Sequence, residues 1–158
     1  MSRICIPDYE YKERVARAAA ILQREGLDAL IVNGNEADYA NPRYFSGFWP
    51  LFERAGVAIA ANGDAALLVG PESSVFGADR NRLDKIFALT AYREDADPAY
   101  PELVPDTFQD VFKSVGVTGK KIKKPSVKVV CGETELEPGE DYSLKYDKKT
   151  REIGLYML

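Results

Sequence analysis

The sequence predicts an α/β fold, a mixed β-sheet flanked by helices, with a short β-rich C-terminal tail. Three observations predict it. A helix-forming segment, a glycine and a buried apolar run follow one another between Tyr9 and Val32. Asn62-Gly63 separates two further apolar runs. Beyond Pro125 the texture changes to strand-like alternation.

The elements follow in order. Tyr9 to Glu25 is rich in Ala, Glu, Arg and Leu, all good helix formers. Val15, Ala18, Ala19 and Leu22 recur at helical spacing as a narrow apolar stripe. Asp8 is the expected cap, with Glu10 in the first turn. Gly26 stands where a left-handed residue closes a helix. Ala29-Leu-Ile-Val32 reads as a strand buried on both faces. Helix, glycine and buried strand open a layered α/β structure.

Asn33-Gly-Asn-Glu36 reads as a turn, and a short helical or irregular stretch follows from Tyr39 to Tyr44. Pro42 fits such a helix only in its first turn. Asn62-Gly63, between Gly56–Ala61 and Ala65–Val69, is a strong hairpin signal, so the sheet is mixed. Pro71 to Asp84 reads as a helix with Ser73 or Ser74 near its start, and Ile86 to Tyr92 as a strand. Glu94 to Pro101 is a polar, proline-bearing loop. A helix is expected over about 105–114, with Phe108, Val111, Phe112 and Val115 on one side. In the tail, Val127–Cys131, Asp141–Tyr146 and Glu152–Met157 read as a three-stranded meander. The expected organisation is a domain over 1–119, a linker over 120–125 and the meander over 126–158.

The 158 residues suffice for one domain with a sizeable core. Apolar residues make up 46% and charged residues 29%, the balance of a globular protein. A net charge of −4 with mixed signs argues against binding nucleic acid, which needs a concentrated basic face. Lys120, Lys121, Lys123 and Lys124 form a short basic cluster that reads as a solvated linker. No apolar run reaches the roughly 20 residues of a membrane helix, and the N-terminus lacks the pattern of a signal peptide. Two distant cysteines, Cys5 and Cys131, exclude a C-x-x-C site and fit a cytoplasmic location.

Several local patterns carry no chemistry. Glu94, Asp95 and Asp97 lack the spacing and the glycine of a calcium loop. Asn33-Gly-Asn35 lacks the glycine patterns of a phosphate loop. The chain has no histidine, so Ser73, Ser74 and both cysteines lack an imidazole base.

The order of helix, Gly26-Leu-Asp-Ala-Leu-Ile-Val32, Asn41-Pro-Arg-Tyr-Phe-Ser-Gly-Phe48, hairpin and strand resembles the N-terminal domain of the creatinase/prolidase metallopeptidases. That group includes Xaa-Pro dipeptidases and aminopeptidases. The positions that carry the resemblance are Gly26, Leu27, Asp28 and Ala29, then Asn41, Tyr44, Ser46, Gly47 and Phe48. It covers about residues 9–118. It implies a ribonuclease-H-like mixed sheet in a domain that is not the catalytic one. Catalysis in the family belongs to a following "pita-bread" domain. That domain holds two divalent metal ions (manganese, cobalt or zinc) with Asp, His and Glu ligands. A two-metal site needs converging carboxylates and usually an imidazole, and this chain has no imidazole. After about Gly119 the sequence departs from the family. The tail is an unusual natural ending, a truncation or a fused piece.

The resemblance implies a non-catalytic role in oligomerisation and in shaping substrate access, with a homodimer or the chain's own catalytic domain as partner. No cofactor and no catalytic residue are assigned to this chain. The candidate substrate-access or inter-subunit residues are Arg43, Tyr44, Phe48, Trp49, Phe52 and Arg54. Interfaces favour aromatics and arginine, and a guanidinium fork fits a carboxylate. The competing readings are that the aromatics cover the end of the sheet and that the arginines are ordinary surface residues. A stand-alone binding module without hydrolase activity is the alternative function.

Overall fold

The computed structural model describes residues 5–51, 53–94, 104–117, 130–131, 134–135, 137, 140, 142–146 and 153–157. The chain divides into two compact units, Met1–Lys120 and Lys121–Leu158.

The first unit opens with α1 (Asp8–Glu25). Asp8 is its first helical residue rather than its cap. Pro7 holds the cap position in extended backbone, and no side chain caps the helix. The fixed φ of proline suits that approach. Tyr11, Val15, Ala19 and Leu22 form the buried face. Gly26 closes the helix at φ 68°, a left-handed conformation that costs a glycine little.

β1 (Ala29–Gly34) runs two residues further than its apolar core, absorbing Asn33 and Gly34 from the expected turn. The turn begins at Asn35, whose side-chain oxygen accepts the Ala37 and Asp38 amides at 2.9 Å each. α2 (Ala40–Ser46) carries Pro42 in its first turn. β2 (Ala55–Ala60) and β3 (Ala65–Val69) form the antiparallel hairpin that Asn62-Gly63 predicts. A 3-10 turn, Pro71–Ser73, then leads into α3 (Ser74–Arg80). α3 stops four residues short of Asp84. The Asn81 side chain accepts the Leu83 amide at 2.9 Å and donates to the Leu83 carbonyl at 2.7 Å, which substitutes a local turn for the next helical bonds.

β4 (Ile86–Ala88) pairs parallel to β3. It is shorter than the apolar run suggests. Asp106 meets the strand end through its amide to the Ala88 carbonyl and its carboxylate from the Ala88 amide, both at 2.8 Å. Thr90–Tyr92 then forms a 3-10 turn instead of continuing the strand. α4 (Phe108–Ser114) begins at a capping box made by Thr107 and Asp110.

The sheet order is β1-β2-β3-β4, with the first three antiparallel and the last pair parallel. This is the mixed sheet flanked by helices that the sequence predicts. Val57, Ile59, Leu67 and Val69 pack with Val15 and Leu22 of α1, with Phe48 and with Phe76 of α3. Ala58 and Leu68 point the other way, to Leu89, Tyr92 and Val111 of α4. β2 is therefore buried at every position, and its sequence is a continuous apolar run without alternation. Among the described residues no helix is long and apolar enough to cross a membrane.

Among the described residues, the second unit contains two two-stranded antiparallel sheets. One joins β5 (Val130–Cys131) to β6 (Thr134–Glu135), the other β7 (Tyr142–Tyr146) to β8 (Ile153–Met157). Among the described residues, β5 falls in the first expected strand of the meander, and β7 and β8 fall in the second and third. The start of its first strand at Val127, together with Asp141 and Glu152, lies outside them.

Candidate functional site

The segment from Asn41 to Arg54 supplies every sequence-predicted site residue, but the fold sends them in different directions. Phe48 goes inward. It has 0% exposure and meets Phe76 edge-on at 5.6 Å. Its amide donates to Ser46 Oγ at 3.1 Å, and that hydroxyl donates to the Pro42 carbonyl at 2.7 Å. Those bonds turn the chain at the end of α2 and plant the ring in the core. Phe48 is therefore a core residue and not a surface one, because the apolar volume between α1, α3 and the sheet takes it. Phe52 lies outside the described residues.

Arg43, Tyr44 and Trp49 stay together at the surface. The Arg43 guanidinium lies 5.0 Å from the Trp49 ring centre and 5.9 Å from that of Tyr39. Tyr44 is 44% exposed, and its ring carries the Arg14 guanidinium at 4.4 Å. Arg14 also donates to the Tyr44 carbonyl at 2.8 Å and pairs with Glu10 at 3.1 Å. Arg17 donates to the Tyr44 hydroxyl at 3.3 Å, a bond that raises the Arg17 pKa.

These groups line a concavity of about 600 Å³, to which Arg80 and Arg82 also contribute. The Arg82 amide donates to the Ser46 carbonyl at 2.8 Å, joining the end of α3 to the end of α2. Gly47 makes that approach possible, since a Cβ there would lie 3.0 Å from Arg82 Cγ. Arg14, Arg80 and Arg82 were not singled out by the sequence. Arg14 sits among acids on an amphipathic helix and reads as a solvated face, and only the Tyr11/Arg14 spacing on α1 hints otherwise.

Arg54 lines a different concavity, of about 510 Å³, with Asn33, Asp38, Tyr92 and Phe108. Arg54 is exposed and has no ion-pair partner among the described residues. Tyr92 Oη donates to Asn33 Oδ1 at its floor, and burial pushes the Tyr92 hydroxyl up to about 12. The two candidate clamps, Arg43 and Arg54, thus serve separate concavities.

The remaining polar residues perform local structural work. Ser73 Oγ, buried, donates to Glu53 Oε1 at 2.5 Å, and Ser74 Oγ donates to the Pro71 carbonyl at 2.9 Å. Glu94 contributes its amide to Glu72 at 2.8 Å, while Asp95 and Asp97 lie outside the described residues. No group of three or more His, Cys, Asp or Glu among the described residues is placed to hold a metal. A two-metal centre of carboxylates and imidazole does not fit them.

A family model described as the creatinase/prolidase N-terminal domain matches residues 14–124. Among solved structures, the chain is similar to the N-terminal, creatinase/prolidase-like domain of a Corynebacterium diphtheriae protein assigned as a metallopeptidase. The identity is 19% and the TM-score 0.43, covering 49% of this chain and 58% of that one. It is also similar to the Xaa-Pro aminopeptidase, aminopeptidase P, of Streptococcus thermophilus. There the identity is 26% and the TM-score 0.42, covering 68% of this chain and 66% of that one. The chain thus spans less than two thirds of either solved chain. No curated protein matches it.

Proposed function

The chain belongs to the creatinase/prolidase N-terminal domain family, and on that premise we propose that it is a non-catalytic accessory domain of a cytoplasmic Xaa-Pro-peptidase-like metallohydrolase. Its work is oligomerisation and the shaping of access to a catalytic centre held elsewhere. The hydrolysis itself, metal-activated water attack on a C–N bond, belongs to a domain with the family's two divalent ions. The fold alone does not choose between a peptide bond before proline and an amide or amidino bond.

The observation that carries this reading is the stack of the exposed Arg43 on the half-buried Trp49, beside the exposed Tyr44. Arginine and aromatic rings are the residues that protein interfaces concentrate. Two further facts support it. The chain contains no histidine, and Arg54 presents a guanidinium without an acidic partner among the described residues. Either feature suits a surface that closes over a partner's substrate better than a metal centre of its own.

Sedimentation of the protein across a concentration series tests the proposal, alongside turnover of an Xaa-Pro dipeptide with Mn²⁺. Concentration-dependent dimerisation that Trp49→Ala weakens, with no turnover by the chain alone, is the expected result. A monomer at every concentration that also fails to bind a metallopeptidase catalytic chain would overturn the assembly role. Metal-dependent turnover by this chain alone would overturn the non-catalytic one.

A further inference from the structure

The concavity beside α2 has a charge opposite to that of the chain. The net charge is −4, yet the lining carries four guanidiniums, Arg14, Arg43, Arg80 and Arg82, and, among the described residues, no carboxylate. The nearby acids pair with these arginines rather than line the concavity. Asp8 reaches Arg82 at 3.8 Å and Asp79 reaches Arg80 at 2.9 Å, with the two carboxylates 72% and 73% exposed. Exposed pairs of this kind are weak and exchange readily with another anion. Arg43 has no acidic partner among the described residues.

Two of the arginines, Arg14 and Arg43, are also held in place. Arg14 is only 13% exposed, fixed by Glu10, the Tyr44 carbonyl and the Tyr44 ring. Arg43 lies over the Trp49 ring, its guanidinium carbon 5.0 Å from the ring centre. A concave wall of one sign focuses its field on whatever enters, and each guanidinium fork matches two anionic oxygens.

We propose that this concavity binds a small molecule carrying two or more anionic oxygens, such as a phosphorylated or polycarboxylate metabolite. About 600 Å³ suits a small molecule. The acidic balance of the rest of the chain disfavours a long polyanion. The site rests on the same face as the assembly proposal, since Arg43, Tyr44 and Trp49 belong to both; Arg82→Ala reads anion binding and Trp49→Ala reads dimerisation, so the two readings fail separately.

Isothermal titration at low salt with inorganic pyrophosphate and with citrate tests the proposal. Saturable binding of at least one is expected, and whichever binds more tightly identifies the phosphate or carboxylate source. Arg82→Ala should weaken binding about tenfold, the scale of one charged hydrogen bond. Asp8→Asn, which frees Arg82, should tighten it. Arg24→Ala, which removes a charge paired with Glu25 outside the concavity, should leave it unchanged. Thermal unfolding of each variant checks that it is folded, and Asp8→Asn gives an answer even where Arg82→Ala is not. The site is overturned by no saturable binding of either probe. It is equally overturned if Arg24→Ala weakens binding as much as Arg82→Ala, or if Asp8→Asn weakens it.

Discussion

Tyr92 reaches Asn33 across a glycine. The two residues lie at opposite edges of the sheet, Asn33 on β1 and Tyr92 just after β4, yet the phenol donates to the Asn33 side-chain oxygen. Gly56 of β2 is the register partner of Asn33 and lies beneath the phenol. A Cβ on Gly56 would stand 2.6 Å from the Tyr92 hydroxyl and 2.9 Å from the Val32 carbonyl oxygen. The missing side chain makes the hydrogen bond possible.

Gly56→Ala should therefore destabilise the protein by about 1–3 kcal/mol, the cost of overpacking a core site that cannot open. Urea denaturation checks this. An unchanged midpoint would show that the Tyr92 ring shifts freely.

Tyr92→Phe removes the donor to Asn33 and should cost about 1 kcal/mol at neutral pH. The difference should shrink in alkali. Burial raises the folded pKa of Tyr92 from 10.0 to about 12, so the unfolded chain loses this proton first as pH rises. Tyr92 thus lowers stability progressively between those two values, and the phenylalanine variant lacks that slope. Denaturation midpoints of both proteins from pH 8 to 11 measure it. Parallel curves would contradict the burial.

Phe48 and Tyr44 lie four residues apart in the same motif but should respond differently. Phe48→Ala empties a fully buried core position and should cost about 3–5 kcal/mol. Tyr44→Ala trims an exposed ring and its contact with Arg14, which should cost about 1 kcal/mol. Equal losses in thermal unfolding would mean that the division into core and surface is wrong.

Thr107→Ala breaks the capping box of α4 and should cost about 1 kcal/mol. The hydrogen bonds from the Thr107 hydroxyl and amide hold the Asp110 carboxyl below its ordinary pKa. A depressed carboxyl contributes stability above its unfolded pKa and loses it as pH falls through the folded value. The variant should accordingly show a shallower loss of stability in acid, measured by denaturation between pH 5 and 2.

Much of the fold was legible because its signals are local. The apolar stripe and Gly26 mark α1, the continuous apolar run marks β2, and Asn62-Gly63 marks the hairpin. The misreadings are places where a distant or side-chain partner took over the backbone. Asp106 ends β4, and Asn81 ends α3. Asp106 lies far outside the window from which β4 is read, and the Asn81 side-chain bonds to Leu83, though local, compete with the helix in a way that apolar spacing does not register.

The candidate site divides in the same way. The Asn41–Phe48 motif marked Arg43 and Tyr44, and the aromatic cluster after it marked Trp49. Its period did not show that Phe48 turns inward, because the Ser46 hydroxyl bonds that redirect the chain follow no helical or strand spacing. Arg14, Arg80 and Arg82 could not be assigned from sequence. They come from two helix-bearing segments far apart in the chain.

The sequence by itself determined the elements, the mixed sheet and the family, since propensity, turn chemistry and short-range order act within a few residues. Tertiary structure decided which arginines share a concavity, which aromatic ring is core, and that Gly56 makes room for Tyr92. Those are matters of convergence in space, where charge, volume and hydrogen-bond reach act between residues the chain order keeps apart.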